Sequence, residues 1–398
     1  MQLYKERLKI IIFDGTFKTT PFVNRLLEGL VQQHEIYVLG FNEELDDKIE
    51  HVKYVPLGSN QNYSRLAYVS LKYAIQSRKI IVFFNTIKLL ITKNRKVLQQ
   101  QNISIALSMI HPDIIHLQWL SNIQLFERYI LKKSYKFILS QRGYHINVRP
   151  FVSQENFEYM HYWFPQLDGF HSVSNAVKQV SNKIYTATNK IDCVVYSGYD
   201  ISKFKSKKEQ YKTSKPIRII SVGRDHWIKG YSYAINAMAL LKSENIEFHY
   251  TILGVGKDCE ELQYLINEHR LEDDISLEPK VMQEEVYEKM CENDMLLLPS
   301  LAEGVANVCI EAMLLGVPVM STNCGGMSEL ISNNETGFIV PIRSSEAIAD
   351  AIKNISLKPE KEMIEIVENA RIKAIDQHNE HKMITDMETL YRRVYEDN

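Results

Sequence analysis

The sequence predicts an α/β protein of two doubly wound domains, and three observations carry that expectation. The chain has 398 residues, enough for two cores of ordinary size. Short β-branched apolar runs alternate with amphipathic helical stretches along its whole length. One polar, lysine-rich stretch, ISKFKSKKEQYKTSKP (Ile201 to Pro216), interrupts this rhythm near the middle. The strand-like runs are apolar at consecutive positions instead of alternating, the pattern of parallel sheets covered on both faces.

In chain order, LKIIIF reads as a strand, PFVNRLLEGLVQQ as a helix and EIYVLGF as a second strand. Further strands are DIIHLQW, KFILS, GFHSVS and CVVYSG. The break then places a first domain at 1–205 and a second at 206–379. The second series runs IRIISVG, YSYAINAMALLK, EFHYTILG, CEELQYLINEH, ISLEP, EEVYEKMCEN, DMLLLPS, VCIEAMLLG, VPVMST and GFIVP. The tail HKMITDMETLYRRVYEDN has helical periodicity, and a C-terminal helix at about 380–398 is expected to pack back on the first domain. Ligands of such sheets bind beyond the carboxyl ends of the strands, so the residues that follow each strand matter most.

Composition narrows the class. A hydrophobic fraction of 45% with 24% charged residues is that of a soluble globular protein. The five cysteines are scattered without a C-x-x-C, which suits reduced thiols in a cytoplasmic protein better than disulfides or a zinc site. The N-terminal apolar run is only a strand long and no small-residue cleavage site follows, so no secretory leader is expected. IIVFFNTIKLLIT (Ile80 to Thr92) is too short to span a bilayer and contains Asn85 and Lys88.

The formal net charge of −2 conceals an asymmetry. Between His51 and Gln154 there are fifteen Lys and Arg against only Asp113 and Glu127, a local balance of +13. Apolar and aromatic residues interleave with these cations. Two readings stay open: a helical layer whose outer face is basic, or a surface that sits peripherally on the anionic inner face of a membrane. An anionic soluble acceptor would account for the charge but not for exposed aromatics. Nucleic acid is not an expected partner, because the run lacks a recognisable binding motif.

The second half carries the chemistry. In PSLAEGVANVCIEAMLLG, Glu303 follows a strand, Gly304 admits close backbone approach, and Val305 to Val308 should open a helix that carries Glu311. Unpaired amides at a helix start favour anions, and a carboxylate accepts two hydroxyl hydrogen bonds at once. Eight residues advance a helix by about 800°, so Glu311 is expected to face the same cleft as Glu303. Two carboxylates along a crevice suit a ligand with two sugar rings. In IISVGRDHWIKG, Arg224 and Lys229 each stand beside a glycine, Gly223 and Gly230, and two fixed cations there would neutralise a diphosphate. ILGVG ends another strand at Gly254, although the third glycine of the dinucleotide fingerprint is missing. No Asp-x-Asp follows a strand, so no metal is expected.

Glu303-x7-Glu311, Gly223-Arg224…Lys229-Gly230 and Gly325-Gly326-Met327-Ser328-Glu329 resemble the motifs of the retaining glycosyltransferases of family 4. HPDIIHLQW, VSNAVKQ and YSGYDISKF extend the resemblance into the first half. It implies the GT-B fold, in which two Rossmann-like, doubly wound domains face a central cleft. It also implies transfer of a hexose, with retention, from a nucleotide diphosphate sugar to a sugar or lipid-linked glycan acceptor, as in cell-surface polysaccharide or glycolipid synthesis, without metal or cofactor. Glu311 would then hold the donor ribose and Glu303 the hydroxyls of the transferred sugar. Arg224 and Lys229 would bind the departing diphosphate. Gly223, Gly254, Gly304, Val305, Ala306 and Asn307 would line the donor site. Many members carry Gly-Phe-Gly after the first glutamate, where this chain has Gly304-Val305-Ala306. Many also carry a His-Gly pair after the strand FILSQ; here Arg142-Gly143-Tyr144-His145 stands instead, which makes Arg142 and His145 the candidates beside the anomeric carbon. Gly15 and His116 are acceptor-side candidates, and His116 reads equally as a satisfied core histidine. Two alternatives remain at this point: a hydrolase using the two glutamates, and a catalytically silent subunit that binds a sugar nucleotide.

Overall fold

Runs such as KIIIFDG and MLLL have no polar face to turn toward water, so they are stable only with helices on both sides of the sheet. The computed structural model describes residues 6–45, 47–204, 208, 210–211 and 213–397, and among these it forms two such sheets. The first has seven parallel strands: β1 (Lys9–Gly15), β2 (Glu35–Gly40), β3 (Lys53–Pro56), β4 (Ile114–Leu117), β5 (Lys136–Gln141), β6 (Gly169–Ser172) and β7 (Asp192–Val194). The second has six: β8 (Ile217–Val222), β9 (Phe248–Leu253), β10 (Ile275–Glu278), β11 (Met295–Leu298), β12 (Val319–Thr322) and β13 (Phe338–Val340).

Strand order is β3-β2-β1-β4-β5-β6-β7 in one sheet and β10-β9-β8-β11-β12-β13 in the other. The order reverses beside β1 and β4 in the first, and beside β8 and β11 in the second. Those reversal points open a crevice at the carboxyl ends of the strands, where ligands of doubly wound sheets bind. Gly15 leaves β1 at the first crevice, and Gly223 and Pro299 leave β8 and β11 at the second.

Each sheet is sandwiched between two apolar layers. Ile219, Tyr250 and Leu297 face the helix Tyr231–Ser243 on one side of the second sheet, while Ile220, Leu296 and Leu298 face Asn307–Leu315 on the other. The helix Glu380–Glu396 lies on the first sheet: Met387, Leu390 and Tyr391 pack with Ile10, Ile12 and Ile138. The helix before it, Glu360–Gln377, packs on the second sheet.

One departure from the sequence-based expectation has a simple cause. β3 is a four-residue edge strand ending in Pro56, half-exposed, and so lacks the apolar run that marked the other strands. The 205/206 domain boundary lies outside the described residues. Of the linker, Lys208 is buried and donates from Nζ to the carbonyl of Asn293 at 2.7 Å, while Tyr211 packs on the second domain's core.

Candidate active site

The loop after β11 holds Glu303 in place from three directions. Lys229, at the end of the short turn Trp227–Lys229, donates from Nζ to Glu303 Oε1 at 2.7 Å, and Ser300 Oγ donates to the same oxygen at 3.0 Å. From the first domain, Asn147 Nδ2 donates to the Glu303 carbonyl at 2.9 Å. Gly325 and Gly326 press on the loop from behind. A Cβ on Gly325 would stand 1.8 Å from the Glu303 carbonyl oxygen, and one on Gly326 would stand 2.2 Å from that of Gly304. The Gly326 amide donates to the Gly304 carbonyl at 2.7 Å, so backbone lies on backbone with no room for a side chain.

Glu311 lies elsewhere. The helix begins only at Asn307, so Glu303 precedes it and the two-turn relationship drawn from helical geometry does not apply. Glu311, with Arg224, Gly223, Gly254, Lys280 and Gln283, lines a cavity of about 280 Å³ at the carboxyl ends of β8, β9 and β10. Gln283 Nε2 donates to Glu311 Oε2 at 3.3 Å, and the Tyr199 hydroxyl approaches Oε1 at 3.5 Å. Burial pushes the Glu311 carboxyl up to about 7, against the opposing influence of the Arg25 guanidinium. The two carboxylates share no hydrogen-bond partner among the described residues. Arg224 is exposed at the cavity, while Lys229 is paired with Glu303. Val305 leads into the helix, Ala306 caps it and Asn307 is its first residue.

Across the cleft, the first domain meets this loop closely. A Cβ on Gly143 would stand 3.0 Å from the Gly304 amide nitrogen. Arg142 is turned inward: Nη2 donates to Gln118 Oε1 at 2.7 Å, and the guanidinium lies over the rings of Phe22 and Trp119. Burial lowers it to about 10, opposed by the nearby Asp14 carboxylate. His145 sits beside Trp119 with a buried Nδ1 that has no partner among the described residues, and burial brings it down to about 4, so the ring is neutral at pH 7. Gly15 ends β1 with φ +93°, next to Asn122. His116 is fully buried, with Nδ1 at 2.8 Å from the Tyr391 hydroxyl and Nε2 at 2.9 Å from Ser140 Oγ. Of its two readings, the geometry supports the core histidine: both ring nitrogens are engaged and no edge faces an acceptor.

Several residues at the site were not singled out from the sequence. Lys280 follows β10 and obeys the same strand-end rule as Arg224, so that signal was present. Arg25 carried none: it lies mid-helix in the first domain, yet its guanidinium rests 4.1 Å from the centre of the Tyr199 ring. Glu329 stands out in the sequence only as the last residue of the Gly325–Glu329 motif. Its carboxylate accepts from the amides of Asn175 and Ala176 at 2.9 and 2.7 Å and from the Tyr196 hydroxyl at 2.6 Å, all first-domain groups.

Residues 202–373 match the sequence profile of the glycosyl transferases group 1. The second domain belongs to that family. Among its relatives, the amylovoran biosynthesis glycosyltransferase AmsK of Erwinia amylovora is 35% identical over 173 residues, 42% of this chain and 42% of AmsK. The chain spans about half the length of the curated relatives it matches, or less. Solved structures are similar over nearly the whole chain. A glycosyltransferase from Rickettsia africae superposes with a TM-score of 0.71 at 18% identity, over 99% of this chain and 100% of that one. Anabaena Alr3699/HepE, solved with UDP-glucose, superposes with 0.68 at 18% identity, over 97% and 100%. At such identities the likeness establishes the fold, which is GT-B: two doubly wound domains on either side of a cleft.

Proposed function

We propose that this chain is a retaining hexosyltransferase that moves a sugar from a nucleotide diphosphate to an acceptor hydroxyl, in the synthesis of a cell-surface polysaccharide or glycolipid. The observation that carries this reading is the grouping at the second reversal point: Arg224 and Glu311 around one cavity, with the Lys229–Glu303 pair on the neighbouring loop. The biosynthetic role named for AmsK supports a polysaccharide product, and the UDP-glucose of the HepE structure supports a UDP-sugar donor.

Glu311 accepts the ribose hydroxyls, and the cavity encloses the nucleoside beside it. Arg224 and Lys229 take up the diphosphate. When phosphate oxygens reach Lys229, they replace Glu303 as its partner, and the freed carboxylate accepts hydroxyls of the transferred sugar. As the bond from the anomeric carbon to the phosphate oxygen breaks, its electron pair leaves with the diphosphate. The two fixed cations stabilise the charge that develops there, so the transfer runs without a divalent metal. The acceptor hydroxyl enters from the Arg142–His145 side of the cleft, where close apposition of Gly143 and Gly304 excludes water; its oxygen bonds to the anomeric carbon on the face the phosphate leaves, and its proton passes to the departing phosphate oxygen.

The test begins with thermal shifts of the purified chain against a panel of nucleotide diphosphate sugars, because a ligand that binds the native state raises the melting temperature. A UDP-sugar is expected to stabilise it. Turnover with that donor, followed by proton NMR of the product, then reports the anomeric configuration. No stabilisation by any member of the panel would overturn donor binding. Binding without turnover would favour the silent subunit, and an inverted product would remove retention.

A further inference from the structure

The helix Ile80–Ile91 presents an apolar face that nothing among the described residues covers. Ile80 is 68% exposed, Ile81 71%, Phe84 63% and Ile91 77%, and only Thr86 is buried. At 100° per residue, Ile80, Ile91, Phe84, Lys88 and Ile81 fall within about a 100° sector of the helix. The opposite face fixes this orientation. Val82 packs on the first domain's core, Gln101 Nε2 donates to Thr86 Oγ1 at 2.6 Å, and the Tyr63 hydroxyl donates to the Leu90 carbonyl at 2.8 Å.

The charge around this stripe has one sign. No Asp or Glu occurs from His51 to Pro112. Within that span Lys53 pairs with Glu35, Arg65 pairs with Glu43, and Arg95 donates to the carbonyls of Ser59 and Asn60. Lys72, Arg78, Lys79, Lys88, Lys93 and Lys96 are exposed and have no carboxylate partner among the described residues. A second copy of this chain would bring like charges together, whereas a soluble polyanion would leave the isoleucines and Phe84 in water. An anionic bilayer satisfies both: headgroups take the cations and the acyl boundary takes the apolar stripe. With 12 residues the helix is about 18 Å long, too short to cross a hydrocarbon core of about 30 Å and suited to lie in its surface.

We propose that the Ile80–Ile91 helix is an in-plane anchor that seats the first domain on an anionic lipid bilayer. This is independent of the transfer reaction, since a chain without turnover would carry the same surface.

The test is co-sedimentation of the full chain with vesicles of phosphatidylglycerol and phosphatidylcholine, and with phosphatidylcholine alone, at low and high salt. Binding is expected to the anionic vesicles at low salt, falling at least tenfold with neutral vesicles or in high salt. The double variant Ile81→Ser/Phe84→Ser, with its melting temperature measured alongside, is expected to lose at least tenfold in vesicle binding while melting as the parent does. Lys79→Ala/Lys88→Ala is expected to weaken binding to anionic vesicles through charge alone and provides a second variant. Absence of binding to anionic vesicles at low salt would overturn the proposal, as would undiminished binding by a folded Ile81→Ser/Phe84→Ser chain. Sizing that shows a dimer abolished by that variant, without vesicle binding, would assign the face to a second copy instead.

Discussion

Lys229 Nζ stands 2.7 Å from Glu303 Oε1, although the two residues lie on different strand-end loops of the second sheet. The pair is only partly exposed, with 19% and 18% of the two side chains accessible, so each charge depends on the other until a ligand replaces one of them. Lys229→Ala is therefore expected to reduce turnover about 10²-fold or more, the range typical for losing a group that stabilises transition-state charge. Steady-state kinetics in excess chelator are the companion measurement. Unchanged wild-type turnover there is the expected result, and loss restored by magnesium would refute reliance on fixed cations.

The separate surroundings of Glu303 and Glu311 predict separable losses. Glu311→Ala is expected to weaken both the nucleotide diphosphate sugar and the bare nucleotide diphosphate. Glu303→Gln is expected to leave the bare nucleotide nearly unaffected while lowering transfer. Titration calorimetry with both ligands checks this, and equal weakening of the bare nucleotide by both changes would contradict the division of roles.

Glu311 also makes stability depend on pH. Burial raises its folded-state pKa to about 7 from an ordinary 4.5, so the native chain keeps a proton that the unfolded chain releases. This contribution is intact below about pH 4.5 and is lost as pH rises toward 7. Relative to Glu311→Gln, the wild type is expected to lose on the order of 3 kcal/mol of stability between pH 4.5 and 8. Urea denaturation of both proteins at the two pH values measures the difference. Parallel stabilities would mean that the carboxyl is not desolvated.

Gly325 and Gly326 should tolerate no side chain. At Gly325, φ is +55° and an added Cβ would overlap the Glu303 carbonyl oxygen. Gly325→Ala is expected to cost about 1–3 kcal/mol through overpacking and to displace Glu303, lowering turnover as well as melting temperature. Wild-type kinetics in this variant would show that the loop position is not critical.

Glu329 joins the domains by accepting from the first turn of the helix Asn175–Asn182. Replacing such a cap typically costs about 0.5–2 kcal/mol. Glu329→Ala is expected to lower stability by that order and to raise the radius of gyration in small-angle scattering as the cleft opens. An unchanged scattering profile would show that other contacts suffice to hold the domains.

Both sheets were legible because their strands carry continuous runs such as IIIF, FILS and MLLL, and a run apolar on both faces has one stable environment. The strand-end placement of Arg224, Gly254 and Glu303 was legible for a related reason: each lies in the loop that leaves such a run, and strand ends are where these sheets place ligands. Local pattern failed where the partner lies far along the chain. Nothing around Arg25 indicates that it reaches Tyr199, and nothing around Asn147 indicates a bond to the Glu303 carbonyl. His116 could be read two ways until Tyr391, from the last helix, was placed against it.

The sequence by itself determined the order of the strands other than the edge strand β3, the α/β class and the strand-end loops that carry charge, because these follow from short-range periodicity and turn chemistry. Tertiary structure alone decided which of those charges meet, which histidine is buried and which apolar helix face stays in water. Those outcomes depend on how two domains and a returning C-terminal helix pack, and packing joins residues far apart in the chain, where no local period reaches.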